Sequence, residues 1–261
     1  MRIDNFLYLN GKYPSRTKAS EAVLKGEVLY KGKPCKPSKE VDGFENITFI
    51  SIASKYVSNG GYKLEKVLNE YDYLVKDKVF IDIGASNGGF TDCLLQNGAK
   101  LVYAVDVGKT QLEQVLLDDS RVVVLDNTNA RHLIKEQFDN EIDGVTCDVS
   151  FISATYILPA ISSVLKDGGI AFLLIKPQFE VGKDKLNKSG IVLNKKDRFN
   201  AIQKIYDFAI TQSLQPKYVT TAPIREGKNV EYLIVLQKDN TVAKPLFNIL
   251  EDSLRSELRW K

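Results

Sequence analysis

Apolar runs alternate with amphipathic segments along most of the chain. "KVFIDIG", "KLVYAVDVG", "RVVVLDNTNA", "EIDGVTCDVSF" and "GIAFLLIKP" each carry a nearly continuous apolar stretch. Each also holds a polar residue where that stretch ends. Such runs read as strands buried on both faces of a parallel sheet. Helix-period segments lie between them, one covering residues 195 to 213. "YVTTAPI" and "NVEYLIVLQ" supply two more strands. The alternation predicts an α/β doubly wound sheet. Ligands of such sheets bind beyond the carboxyl ends of the strands, so Asp82, Asp106, Asp126, Asp148 and Lys176 should face one crevice. A strand ending in Lys176 fits that placement, because lysine is rarely buried without a partner.

The first forty residues follow a different pattern. "RIDNFLYLNG" puts Ile3, Phe6 and Leu7 on one helical face. A second helix starts at Ser15, a good N-cap, buries Ala19, Ala22 and Val23, and stops before Gly26. "EVLYKGKPCKP" reads as a strand, a tight turn at Lys31-Gly32 and a basic arm. Four segments are expected: a basic module at 1–50, a linker at 51–60, the α/β body at 61–240 and a helical tail at 241–261. The tail places Leu246, Leu250, Leu254 and Leu258 on one helical face. That face should pack on the body; an RNA contact by Arg255, Arg259 and Lys261 is the alternative.

Composition adds one point. The net charge is only +3. Residues 1 to 40 nevertheless hold nine Lys or Arg against four Asp or Glu. A basic head therefore sits on a slightly acidic body. Arg16 and Lys18 occupy the first turn of the second helix, where the helix dipole disfavours cations. A phosphate partner would offset that cost. Three cysteines and one histidine, without ligand spacing, argue against a metal site or a disulfide framework. The N-terminus lacks a secretory h-region, and no stretch approaches the roughly 20 apolar residues that span a bilayer. A cytoplasmic monomer with no membrane contact is expected.

The chemistry is concentrated in two places. The turn "DIGASNGGF" after the first strand carries Asp82, Gly84, Ala85, Ser86, Gly88, Gly89 and Phe90. Ser86 stands where a dinucleotide fingerprint wants its middle glycine. The turn resembles the S-adenosylmethionine (SAM) site of class I methyltransferases. That resemblance implies a Rossmann-like fold, with Asp106 and Val107 at the ribose, Asp126 and Asn127 at the adenine edge, and Asp148 beside the cofactor. The second place is the ordered set Lys63, Asp148, Lys176 and Glu231. If the strand containing Glu231 runs antiparallel, all four meet at one sheet edge. The set is similar to the K-D-K-E tetrad of FtsJ-type ribose 2′-O-methyltransferases. A ribose hydroxyl is a poor nucleophile and needs help to lose its proton. Lysine is protonated at its ordinary pKa of about 10.4, so a base role requires burial and a neighbouring cation to lower it. Lys176 is the expected base or orienting group, and Lys63 steers ribose and phosphate. Cys147 adjoins the site but should face the core, since strand neighbours alternate.

"RIDNFLYLNGKYPSRTKASEAVLKGEVLYKGKPCKPSKEV" resembles an S4 RNA-binding domain, an α+β module. It implies RNA contacts by Arg2, Arg16, Lys18 and Lys25. With "YVSNGGYKL", "DVSFIS", "LIKPQFEVGKD" and "GKNVEYL", the whole chain resembles the TlyA (hemolysin A) family. The resemblance implies SAM-dependent 2′-O-methylation of cytidine in ribosomal RNA, as free RNA or within a ribosomal subunit, in a family of which some members are linked to susceptibility to capreomycin-type antibiotics. It adds Arg131 and Arg225 to the RNA contacts, and the chain's start just before R-I-D favours the short form acting on large-subunit RNA; the tail weakens that reading and leaves open the longer form, which also acts on small-subunit RNA. Asn59 stands where that family has arginine. An S4 binding protein without activity, or a cytolysin, are the rivals. No amphipathic hairpin supports membrane insertion.

Overall fold

The structure is a computed structural model that describes residues 1–50, 54–109 and 111–258, side chains of 257 and 258 excepted. It divides into two compact units, residues 1–55 and 56–261.

In the first unit, helices α1 (Ile3–Leu9) and α2 (Arg16–Leu24) cover a small sheet of β1 (Val28–Tyr30), β2 (Lys33–Pro34) and β3 (Ile47–Phe49). Ser15 Oγ accepts the Lys18 amide and caps α2, as its side-chain chemistry predicts. Lys31 and Gly32 both take positive φ, which matches the right-handed twist of the β1–β2 hairpin. Ile3, Leu7, Ala19, Ala22, Val23, Val28 and Val41 form the core.

The second unit begins with α3 (Gly60–Glu70) and is built on seven strands. These are β4 (Val79–Ile83), β5 (Leu101–Val105), β6 (Val122–Leu125), β7 (Ile142–Cys147), β8 (Leu165–Ile175), β9 (Leu214–Thr221) and β10 (Tyr232–Lys238). Their order is β6-β5-β4-β7-β8-β10-β9. β4 through β8 pair in parallel, and β10 runs antiparallel between β8 and β9. The order reverses at β4, so the crevice opens beyond β4 and β7. Helices α4 (Gly89–Gln96), α5 (Gln114–Leu117), α6 (Leu158–Val164), α7 (Pro177–Glu180) and α8 (Lys195–Thr211) complete the layers. The two faces of the sheet bury separate apolar clusters, so β4, β7 and β8 read as continuous apolar runs. Edge strand β9 tolerates Pro216 at an irregularity opposite Val235 and Leu236.

The tail differs from a single helix. It breaks at Leu250 into α9 (Leu246–Ile249) and α10 (Asp252–Leu258), because Leu250 forms a bridge to Val219. Leu246, Leu250 and Leu254 are buried on the body. The Leu258 side chain, Arg259 and Lys261 lie outside the described residues, as do positions 51–53 of the expected linker.

Candidate active site

Four elements bring Lys63, Asp148, Lys176 and Glu231 together. Asp148 follows β7, Lys176 follows β8, and Glu231 precedes β10. The register pairs Tyr232 with Ile175, which sets Glu231 beside the exit of β8. Lys63 arrives on the first turn of α3. That helix rests closely on α4: a Cβ on Gly89 would stand 3.0 Å from Gly60 Cα and from Gly61 N. The glycines of "NGGYK" and "NGGF" therefore permit the approach that delivers Lys63.

The four form a chain of ion pairs. Lys176 Nζ lies 2.6 Å from Asp148 Oδ1, and Lys63 Nζ 3.2 Å from Asp148 Oδ2. Lys63 Nζ also lies 2.8 Å from Glu231 Oε2. Lys176 Nζ donates to Ser150 Oγ at 2.7 Å. Burial pulls the Lys63 ammonium down, but the Asp148 and Glu231 carboxylates outweigh it and hold Lys63 above its ordinary value. A carboxylate on each side therefore keeps Lys63 cationic, the charge that its expected steering role calls for. Cys147 is 1% exposed and packs in the core. Burial and the Asp148 carboxylate push its thiol up, which removes it as a thiolate nucleophile.

Two adjoining cavities flank this chain. One, of about 520 Å³, is lined by Gly84, Ser86, Asp106, Val107, Thr128 and Phe151, among others. The other, of about 320 Å³, is lined by Ala85, Gly89, Phe90, Lys63, Lys176 and Arg225, among others. Asp148, Ser150, Gly84 and Ser86 belong to both. Gly84 adopts φ +81°, and a Cβ there would meet the Asp148 carbonyl oxygen at 2.8 Å. Only glycine lets the turn pass so close to the backbone of Asp148. Asp106 Oδ1 accepts from Gly108 N and Oδ2 from Ser86 N, both at 3.0 Å, which fixes the carboxylate at the cavity wall. The turn's amides are largely committed internally. Gly84 and Ala85 donate to the Val105 carbonyl, Ser86 to Asp106, and Gly88 to Ala85.

Several expected cofactor residues lie elsewhere. Asp82 is fully buried beneath the turn, where Thr91 and Thr146 hydroxyls donate to it at 2.7 and 2.8 Å. Gly88 is buried against Leu112 and Leu116. Asp126 and Asn127 stop short of the cavity, because Asn127 turns the chain at φ +50°. Thr128 and Asn129 reach it instead, one or two residues beyond the strand-end rule. Arg131, expected at RNA, lines the same cavity and donates to Asn129 Oδ1. Ser150, Phe151 and Thr128 were missed. Ser150 had a signal, since it follows Asp148 at the spacing of a strand-end loop.

In the head, Arg2 and Arg16 are exposed but converge on the buried Asp4, at 2.9 and 3.3 Å. Arg2 holds the Asp4 carboxyl below the ordinary carboxylate range. Lys18 pairs with Glu21 at 3.1 Å, and Lys25 lies 3.9 Å from Glu27. Among the described residues no metal-binding cluster occurs, and no helix is long and apolar enough to cross a membrane.

Comparison with known proteins follows the same division. Residues 56–238 match the FtsJ-like methyltransferase family, and residues 1–47 match the S4 domain. Hemolysin A of Brachyspira hyodysenteriae is 42% identical over 240 residues, covering 89% of this chain and 98% of its own length. The 16S/23S rRNA (cytidine-2'-O)-methyltransferase TlyA of Mycobacterium tuberculosis is 36% identical over 239 residues, covering 90% and 89%. A solved structure of a Streptococcus thermophilus protein named as a hemolysin superposes with TM-score 0.77 at 36% identity, over 99% of this chain and 94% of that one. The chain belongs to the FtsJ-like methyltransferase family and carries an S4 domain ahead of the methyltransferase fold.

Proposed function

We propose that this protein transfers a methyl group from SAM to a ribose 2′-hydroxyl of cytidine in ribosomal RNA, acting in the cytoplasm on the large subunit. The observation that carries the reading is the ion-paired chain Lys176–Asp148–Lys63–Glu231 at the mouth of a turn-lined cavity. The cavity volume suits a cofactor-sized ligand. Ser86 in place of the middle glycine of the dinucleotide fingerprint favours SAM over a dinucleotide. Gly84, Ser86, Asp106, Thr128 and Asp148 would hold it. SAM supplies a methyl on a sulfonium sulfur that departs as a neutral thioether.

The residues of the chain divide the remaining work. Asp148 and Ser150, which line both cavities, fix Lys176 Nζ at the wall of the second. In its free-amine form Nζ accepts the hydroxyl proton as the 2′-oxygen bonds to the methyl carbon. Lys63, kept cationic between two carboxylates, stabilises negative charge on the ribose oxygen and the neighbouring phosphate. Glu231 balances that charge. Residues 1–50 supply the RNA-binding module and 61–240 the catalytic one, with Arg2, Arg16, Lys18, Lys25 and Arg225 toward phosphates.

The test uses labelled SAM and ribosomal subunits from a host lacking this modification. Wild type should label large-subunit RNA, at a position resistant to alkaline cleavage. Lys176→Ala should bind SAM but lose at least about 100-fold in rate. Full activity in that variant removes Lys176 from the reaction, and label in small-subunit RNA overturns the subunit assignment.

A further inference from the structure

Glu180 lies four residues after Lys176, on the single turn α7, and does not reach either cavity. Its side chain is only 2% exposed. It is nevertheless well satisfied. Ser153 Oγ donates to it at 2.5 Å, the Ala154 amide at 2.7 Å and Lys204 Nζ at 2.9 Å. Lys204 also donates to Ser153 Oγ and to the Glu180 carbonyl oxygen, both at 3.2 Å. Two of these partners end the loop that leaves β7, which carries Asp148, Ser150 and Phe151.

That loop meets α7 at three successive points. Lys176 Nζ donates to Ser150 Oγ, the Phe179 and Phe151 rings lie 5.2 Å apart, and Glu180 holds Ser153 and Ala154. Between the first and last of these, Phe151 adopts φ +65° and is 91% exposed. A bulky residue in that region is strained, and it stays there only when its surroundings over-determine the backbone. The ring contact alone is exposed and weak. The buried carboxylate is the strong fastening.

We infer that Glu180 is a positioning residue: with Lys204 it clamps the Asp148–Ser153 loop onto α7, and so fixes Ser150 and Asp148 around Lys176 for methyl transfer. The catalytic part rests on the function proposed above. The expected cost of releasing the clamp is a misplacement of Lys176 rather than a loss of fold, and a misplacement of about 1 Å can cost on the order of 100-fold in rate.

Glu180→Ala and Glu180→Gln are assayed in the full chain for kcat, for KM toward ribosomal RNA, and for thermal midpoint. Glu180→Ala should lower kcat by roughly 30- to 100-fold with KM within about twofold. Glu180→Gln keeps an acceptor for the Ala154 amide and should recover part of that loss. A second readout does not depend on activity. Hydrogen exchange of the backbone amides of residues 149–153 should speed up in Glu180→Ala. Exchange unchanged from wild type overturns the clamp whatever the enzyme does. If wild type transfers no methyl group, the proposed function fails while the exchange result still decides the clamp. If wild type is active and Glu180→Ala keeps full kcat, the positioning role is wrong.

Discussion

Asp82 shows how a residue's type can be legible while its role is not. Its place at the end of β4 put it among the cofactor ligands by the strand-end rule. The structure instead seals it under the turn, 0% exposed, with two threonine hydroxyls as partners. Burial pushes its pKa up to about 6, against the opposing pull of those hydrogen bonds. An acid with a raised pKa in the folded state binds its proton more tightly there than when unfolded. Its favourable contribution is therefore present below about pH 4 and is lost as pH rises through about 6. Asp82→Asn should remove this dependence. Urea unfolding of the wild type should show a loss of roughly 2 to 3 kcal/mol from this group between pH 4 and pH 7.5. The variant should be flatter over that interval and at least as stable at neutral pH. Parallel curves for the two proteins would place Asp82 in a solvated setting that this structure does not have. Lys63, Asp148, Lys176 and Glu231 were legible for the opposite reason: lysines and acids interrupting apolar or glycine-rich segments are costly unless paired. Ser150 and Glu180 were not, because a serine or a glutamate in a loop has many unremarkable explanations.

At the scale of elements, periodicity carried most of the fold. The five parallel strands and the long helix α8 follow directly from apolar runs and the 3.6-residue repeat. The antiparallel β10 does not follow from periodicity; it was conditional on Glu231 meeting the other three residues. The tail failed as one helix because the bridge from Leu250 to Val219 competes with the helical repeat. What periodicity cannot encode at all is how closely two helices approach. The α3–α4 contact depends on missing side chains at Gly60 and Gly89, and Gly61 seats α3 on the preceding segment in the same way. A Cβ there would lie 2.2 Å from the ring of Tyr56, which is 1% exposed and packs edge-on against Tyr62. The ring cannot yield without opening the core. Gly61→Ala should destabilise the body by about 1 to 3 kcal/mol in urea unfolding. It should also slow methyl transfer at temperatures where the variant is still folded, since α3 carries Lys63. Unchanged stability would mean that the Tyr56 ring can move aside, and that the Lys63 geometry does not depend on that contact.

At the scale of the whole molecule, a net charge of +3 conceals the asymmetry that matters. The sequence reveals it only when the chain is divided before charges are counted. The structure then changes what those charges mean. Arg2 and Arg16 are not free surface cations: both are organised by the buried Asp4 carboxylate, which leaves their guanidiniums half exposed in fixed directions. Preorganised arginines suit phosphate oxygens, because less side-chain freedom is lost on binding. Double charge reversal, Arg16→Glu with Lys18→Glu, tests this in the full chain. Each lost phosphate contact should weaken RNA binding at all sequences and make the slope of log K against log salt shallower by about one. SAM affinity should not change, since every residue assigned to that cavity lies in the second unit. Arg16→Gln serves as the control, because it does not add a carboxylate beside Asp4. If the double reversal leaves the salt slope unchanged, the basic head is solvated surface. RNA recognition would then fall to the body, where Arg225 lines the cavity beside Lys176.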